Sequence, residues 1–307
     1  MHNMKRKDLL GLKDLSADEI VEILDTTVEM KKLLTQEVKK SSVLLGKNVT
    51  TLFYENSTRT RMSFEAAAKF LGASTSSMSA AVSSVSKGET LVDTGKNVDA
   101  LLPDAIIIRH PIAGAPELLA KNVKASVING GDGMNEHPTQ ALLDIFTMRE
   151  KFGSIKGLKV TMSGDIKFSR VARSNIWGLK KLGAFVTVCA PYTLLPTGIE
   201  DFGVKVETKP ENAMAGADVV MGLRIQAERQ KGGMFPSNGE YVRNFGITLD
   251  RLKWANPHAL VMHPGPCNRG VEMTSEAMDS PQSVVLDQVT NGVALRMAVL
   301  KLLLLKG

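Results

Sequence analysis

Ser57-Thr58-Arg59-Thr60-Arg61 sets two guanidinium groups and three hydroxyls in five consecutive residues, an assembly suited to holding a small anion. Upstream, Val49-Thr50-Thr51-Leu52-Phe53-Tyr54 is β-branched and aromatic, as a buried strand requires. Downstream, Phe64, Ala67, Ala68 and Leu71 recur at helical spacing. The run therefore opens a helix, whose first N–H groups lack intrahelical acceptors and sit at the positive end of the macrodipole. Arg59 and Arg61 add charge-assisted, bidentate hydrogen bonds toward a phosphate or carboxylate. The same residues also suit a plain capped helix whose arginines pair with surface acids, because Ser and Thr are ordinary N-caps.

Similar polar runs stand where other strands should end. Asp104-Ala105-Ile106-Ile107-Ile108 is followed by Arg109-His110-Pro111, and Ala125-Ser126-Val127-Ile128-Asn129 by Gly130-Gly131-Asp132-Gly133-Met134-Asn135-Glu136-His137-Pro138-Thr139-Gln140. His137-Pro138 starts a helix with proline in its first turn, turning Ala141, Leu142, Ile145 and Met148 inward. Strands are also predicted at 158–162, 185–188, 218–221 and 259–262, with a helix over 171–182. Gly164-Asp165-Ile166-Lys167-Phe168-Ser169-Arg170, Leu223-Arg224-Ile225-Gln226 and His263-Pro264-Gly265-Pro266 follow three of these strands. Each also has a plainer reading. His137 caps a helix, Lys87 is a solvated loop lysine, Arg170 is a surface residue, and Arg224 pairs with Glu228. His263 and Cys267 invite a metal but lack a ligand set of proper spacing, which favours a structural role.

Strands alternating with helices imply parallel sheets joined by right-handed crossovers, and the alternation restarts near residue 150, so the fold class is α/β with two successive domains. At 307 residues the chain exceeds what one core usually organises. A capping box, Ser16-Ala17-Asp18-Glu19, opens a first helix that turns Ile20, Ile23, Leu24, Val28 and Leu34 to one face. A last helix is predicted from 281 to about 305, with Ser280 as its cap, long enough to cross back to the first domain. The small-residue segment 80–88 reads as a mobile loop. Hydrophobic residues make up 43% and charged residues 23%, the balance of a globular protein. The net charge of +6 is scattered, without the aromatic-interleaved stripe of a nucleic-acid face, and would steer small anions. No apolar stretch predicts a membrane span, and Met1-His2-Asn3-Met4-Lys5-Arg6 leads into a charged segment without the apolar core of a secretory signal. With only two cysteines, Cys189 and Cys267, far apart, the expected compartment is the cytoplasm.

In order and spacing, Ser57-Thr58-Arg59-Thr60-Arg61, His137-Pro138-Thr139-Gln140 and His263-Pro264-Gly265-Pro266 resemble the aspartate/ornithine carbamoyltransferase family, over essentially the whole chain. The segment 132–140 and Leu223-Arg224-Ile225-Gln226 are similar to its aspartate branch. The resemblance implies a domain for carbamoyl phosphate at 1–149, completed by the C-terminal helix 281–307, and a domain for L-aspartate at 150–280. It implies that Ser57, Thr58, Arg59 and Thr60 hold the phosphate, while Thr60, Arg109 and His137 hydrogen-bond the carbonyl oxygen. Gln140 and the carbonyls of Pro264, Gly265 and Pro266 would bind the carbamoyl NH2. Arg170, Arg224 and Gln226 would hold aspartate, and Ser83 and Lys87 would reach a neighbouring subunit's site in a homotrimer.

The implied product is N-carbamoyl-L-aspartate, on the route to pyrimidines, formed without cofactor or metal. Regulatory or pathway-enzyme subunits are a further class of partner; nucleic acid and membrane are not. Chemistry alone supports these residue types. Attack of an amine on carbamoyl phosphate builds charge on the carbonyl oxygen and then on the leaving phosphate, and fixed cations and N–H donors stabilise both. Ornithine carbamoyltransferase is the nearest rival. It typically carries Cys-Leu-Pro after the late His and must accommodate a cationic substrate tail, whereas Arg170 and Arg224 suit a dicarboxylate. A noncatalytic carbamoyltransferase-like binding protein would not need the full set of Arg59, Lys87, Arg109 and His137. Two departures stand out: Ser86 where some relatives carry a second lysine, and Gly265 where others have leucine.

Overall fold

The computed structural model describes residues 5–79, 88–226, 234 and 237–305. The chain forms two compact units, Met1–Leu142 with Thr290–Gly307, and Leu143–Val289. Among the described residues no helix is long and apolar enough to cross a membrane.

The first unit is built on strands β1 (Asn48–Phe53), β2 (Ser74–Ser79), β3 (Ala105–His110) and β4 (Ser126–Asp132), all parallel and ordered β2-β1-β3-β4. Its helices are α1 (Ala17–Leu34), α2 (Thr58–Phe70), α3 (Leu91–Asp99) and α4 (Ala115–Ala120), followed by α5 (Pro138–Phe152), which runs across the division between the units. Strands covered on both faces need continuous apolar sequence. Leu52, Ile106, Ile108 and Val127 accordingly pack with Val98 of α3 and Leu119 of α4 in one buried cluster. β2 breaks that pattern. Its Ser-rich sequence pairs with β1 through hydroxyls, Thr50 with Ser76 at 2.7 Å and Thr51 with Ser77 at 3.0 Å, as an edge strand tolerates.

The second unit carries β5 (Lys159–Gly164), α6 (Arg170–Lys181), β6 (Phe185–Cys189), β7 (Lys205–Glu207), α7 (Pro210–Met214), β8 (Val219–Leu223), α8 (Asn238–Phe245), α9 (Leu249–Leu252), β9 (Leu260–Met262) and α10 (Ser275–Met278). Its parallel sheet has the order β7-β6-β5-β8-β9. Val220, Val261, Ile247 and Met273 lie in its buried cluster, with Cys267 packed against it.

The last helix, α11 (Val285–Leu304), starts later than the predicted residue 281. Residues 281–284 instead lie along β9: Val261 N–H donates to Gln282 O, Val284 N–H donates to Val261 O, and Ser283 makes a bridge to Val261. From Thr290 onward this helix belongs to the first unit. Arg296 donates to Ser63 Oγ at 3.1 Å and stacks over Phe64 at 5.0 Å, pinning α11 to α2. At the other end of the chain the capping box forms as predicted, Glu19 N–H to Ser16 Oγ at 3.1 Å and Ser16 N–H to Glu19 Oε2 at 2.8 Å. The buried face of α1 runs through Ile20, Ile23, Leu24, Thr27 and Met30. Val28 is exposed, and Thr27 is accommodated because its hydroxyl donates to Ile23 O at 2.7 Å.

The turn after β4 is organised by Asp132, which is buried. Its Oδ1 accepts from Asn129 Nδ2 (2.8 Å) and Glu136 N–H (3.0 Å), and its Oδ2 accepts from Gly114 N–H (2.8 Å) and Asn135 Nδ2 (3.0 Å). Asp132→Ala orphans these donors and is expected to destabilise the protein by about 3 kcal/mol in urea unfolding, with Asp132→Asn intermediate. A loss below about 0.5 kcal/mol for Asp132→Ala would show that the turn holds without it.

Candidate active site

In open parallel sheets a crevice forms where successive connections leave opposite sides of one strand, and ligands bind at the carboxyl end of that crevice. The strand orders put the first such point between β1 and β3, and the second between β5 and β8. Polar residues singled out in the sequence cluster at both.

At the first, β1 runs into α2 through Ser57, whose extended backbone makes it the N-cap. Its hydroxyl does not cap the helix but donates to Thr60 Oγ1 at 2.9 Å. No acidic residue lies in the first turn of α2, so the helix presents an electropositive end, with Thr60 buried and Thr58 and Arg59 exposed. These features favour the anion cradle over the plain capped helix. Arg109 stands beside it, since Phe53 and Arg109 are register partners. The register between β3 and β4 shifts between Ile108 and His110, and a bulge of this kind re-aims the residue it contains. Arg109 Nη1 donates to Gly130 O at 3.0 Å, and its Nε lies 3.4 Å from Glu55 Oε2. The adjacent His110 is buried against Tyr54, with its Nδ1 accepting from Ile112 N–H at 3.0 Å. Burial lowers the His110 pKa, which leaves Arg109 as the cation of that pair. His137 is buried just before α5, where its carbonyl accepts from the N–H groups of Gln140 and Ala141. Gln140 is half-buried in the first turn.

At the second point β5 and β8 come unusually close. Gly164 has φ +142°, and a Cβ there would stand 2.2 Å from Leu223 O, so only glycine fits. Beyond it, Asp165 links the two strand ends: Oδ1 accepts from Phe168 N–H at 2.9 Å and Oδ2 from Gln226 N–H at 3.1 Å. Ser169 caps α6 through Ala172 N–H, placing Arg170 at the first helical position. Arg170 is 5% exposed, which excludes the surface reading. Arg224 and Gln226, both half-buried, follow β8 directly. The proposed partner Glu228, and the site residues Ser83 and Lys87, lie outside the described residues, as do Ser86 and the loop 80–87.

Next to β8, β9 ends in His263 and the Pro264-Gly265-Pro266 turn. Gly265 has φ +68°, a conformation that glycine takes without strain, and the Gly265–Pro266 bond is cis. Glu272, absent from the sequence reading, completes a cluster in which one donor atom each of His263, Cys267 and Glu272 lies within 4.8 Å of the others. The cluster is a poor metal site. His263 Nδ1 accepts from Gly265 N–H at 2.8 Å, so the neutral ring carries its proton on Nε2, the atom that faces the other two groups. Sequence reasoning found the cations and gave no role to the carboxylates around them: Glu55, which faces Arg109, and Asp132, Asp165 and Glu272, which gather backbone N–H groups of the loops.

Burial pushes both thiols up to about 12, Cys189 in the core and Cys267 at the cluster, where Glu272 adds to the effect. At pH 8 such a group is about one part in ten thousand thiolate, against about a quarter for an ordinary thiol. Iodoacetamide is therefore expected to leave the native protein unlabelled at pH 8 and to label both positions in urea. Fast labelling of native Cys267 would contradict this environment.

The first half of the chain, residues 7–150, matches the model of the aspartate/ornithine carbamoyltransferase carbamoyl-P binding domain, and residues 156–303 match that of the Asp/Orn binding domain. A relative from Ruminiclostridium cellulolyticum, an aspartate carbamoyltransferase catalytic subunit, is 61% identical over 99% of this chain and 97% of its own length. Aspartate transcarbamoylase of Trypanosoma cruzi, solved with carbamoyl phosphate and aspartate, superposes with a TM-score of 0.90 at 29% identity, covering 99% of this chain and 98% of the other. Ornithine carbamoyltransferase of Pyrococcus furiosus superposes at 0.86 with 35% identity, covering 97% of each chain.

Proposed function

We propose, since the chain belongs to the aspartate/ornithine carbamoyltransferase family, that it transfers the carbamoyl group of carbamoyl phosphate to the amino group of L-aspartate, giving N-carbamoyl-L-aspartate and phosphate. The observation that carries the choice of acceptor is the pair of arginines at the β5–β8 crevice. Buried Arg170 and half-buried Arg224, with Gln226, offer two guanidinium groups to two carboxylates.

Ser57, Thr58, Arg59 and Thr60 bind the phosphate at the start of α2. Arg109, His137 and Thr60 donate to the carbonyl oxygen, which polarises the carbon under attack. Gln140 and the carbonyls of Pro264, Gly265 and Pro266 receive the NH2 group. The neutral amino nitrogen of aspartate forms the new C–N bond, the C–O bond to phosphate breaks, and the departing phosphate, which leaves as the trianion, takes the amine's proton and is released as the dianion. Charge thus moves from carbonyl oxygen to phosphate past groups that are already cationic, and orientation of two bound reactants supplies much of the remaining acceleration. Arg59 and Thr60 at the start of α2 meet the charge that develops on the leaving phosphate and the carbonyl oxygen, and with Arg109, His137 and Lys87 they serve turnover. The carbamoyl phosphate domain is read as 1–149 with the C-terminal helix, and the aspartate domain as 150–280. A cytoplasmic, pyrimidine-forming enzyme fits this chemistry.

With carbamoyl phosphate supplied, the purified chain is expected to carbamoylate aspartate and not ornithine, in the presence of a chelator. Arg224→Ala is expected to raise the KM for aspartate by about 10- to 100-fold with a smaller effect on kcat, as for a contact held equally before and during reaction. Ornithine as the sole acceptor would reverse the assignment of Arg170 and Arg224.

The homotrimer of the family, with Ser83 and Lys87 serving a neighbouring chain, gives a second expectation. Lys87→Ala and Arg170→Ala, each inactive alone, should complement when refolded together. Equal mixing should recover about a quarter of wild-type activity, because about three quarters of threefold rings are mixed and each contains one native site in three. Mixed trimers without activity would mean that each site draws on one chain.

A further inference from the structure

We propose that His263 and Glu272 are positioning residues that hold the Pro264-Gly265-Pro266 turn so that its carbonyl oxygens meet the NH2 of carbamoyl phosphate. The inference rests on the carbamoyl-transfer reading above and adds residues which that reading leaves without a role. A turn that works through carbonyls needs its backbone fixed from behind, and this one has little to fix it with. Two of its three residues are prolines, so Gly265 supplies the turn's one N–H. That N–H donates to His263 Nδ1 at 2.8 Å, which places the ring proton on Nε2.

The protonated Nε2 faces Glu272 Oε1 at 3.4 Å, with both side chains sealed from solvent. The same oxygen accepts from Asn268 N–H at 2.6 Å, beyond the far end of the turn. One buried carboxylate therefore touches the chain on both sides of the carbonyl turn: it accepts the Asn268 N–H directly, and at 263 it lies against the imidazole in an electrostatic contact too long or too bent to be a hydrogen bond. The main chain of His263 is fixed in turn. Its N–H donates to Gln288 Oε1 at 3.0 Å, and Gln288 Nε2 donates to Asp144 Oδ1 at 2.7 Å, while Asp144 Oδ2 accepts from Asn175 Nδ2 at 2.9 Å. A buried carboxylate with a buried imidazole is a poor choice for packing alone, where apolar residues do as well or better. Its geometry here is directed at one object, the turn.

The test separates aim from stability by comparing two phosphates that differ only where the turn would act. Acetyl phosphate carries a methyl group in place of the NH2 of carbamoyl phosphate. Dissociation constants for both are measured by calorimetry on the wild type and on folded His263→Leu, His263→Asn, Glu272→Ala and Glu272→Gln. The wild type is expected to prefer carbamoyl phosphate. His263→Leu and Glu272→Ala should lower that preference about tenfold, one hydrogen bond's worth, with acetyl phosphate affinity unchanged. His263→Asn, whose amide oxygen can replace Nδ1, and Glu272→Gln, which keeps Oε1, should restore it to within about threefold. If His263→Leu does not fold, Glu272→Ala decides, since it leaves the His263–Gly265 bond in place. Parallel weakening of both phosphates, or an unchanged preference, would overturn the positioning role. A wild type that binds the two equally would overturn the assignment of the turn to the NH2 group, and this role with it.

Discussion

Parallel pairing on both sides of one strand is the constraint from which the candidate site follows. β1 is flanked by β2 and β3, and β5 by β6 and β8. Because each connection must cross back to start a parallel strand, the chain leaves β1 and β5 toward one edge and later returns on the other. A gap opens at the carboxyl end between the two departures. Helix N-termini and loop residues gather around that gap whatever their identity. Evolutionary freedom lies in filling it, and here it is filled with Ser57, Thr58, Arg59, Thr60 and Arg109 in one unit and Arg170, Arg224 and Gln226 in the other.

Positive side chains alone would repel one another and wander. Each cluster is instead held by a carboxylate that spends itself on backbone or guanidinium N–H groups. Glu55 faces Arg109, Asp132 closes the turn before His137, Asp165 joins the ends of β5 and β8, and Glu272 sits behind the carbonyl turn. The acids thus order the backbone around the site while the bases supply its charge. At Gly164 two backbones approach so closely that only glycine fits, at the ends of the strands whose loops carry Arg170 and Arg224.

The sequence announced the elements that bury apolar side chains. β1, β3, β4, β5, β6, β8 and β9 read clearly because each is a β-branched or aliphatic run ending in a polar loop, and the same pattern exposed the cations. β2 was hidden because Ser74-Thr75-Ser76-Ser77-Met78-Ser79 is held by hydroxyl pairs and backbone bonds, with no period-two apolar signal. β7 was hidden because three residues at an edge carry too little pattern. Residues 281–284 looked helical, yet β9 offered them a free edge and Val261 accepted. The α1 face drifted to Thr27 because a threonine hydroxyl can bond the preceding turn and be buried at little cost. Carboxylates were illegible for a different reason. An Asp or Glu in a loop has the same sequence appearance whether it is solvated or gathers three N–H groups, and only the fold distinguishes them.

The last twenty or so residues bear on how the molecule comes into being. α11 returns to the unit that holds the chain's beginning, and Arg296 reaches Ser63 and Phe64 in the helix of the anion cradle. During synthesis the second unit, ending at Val289, has been fully made before the first has received its closing helix. The ordinary vectorial order, in which the amino-terminal domain matures while the rest is still being translated, is therefore inverted for this chain. Helix α2 is made without its partner, which lies more than two hundred residues downstream, and a nascent chain that stops short of α11 lacks the Arg296 contact to Ser63.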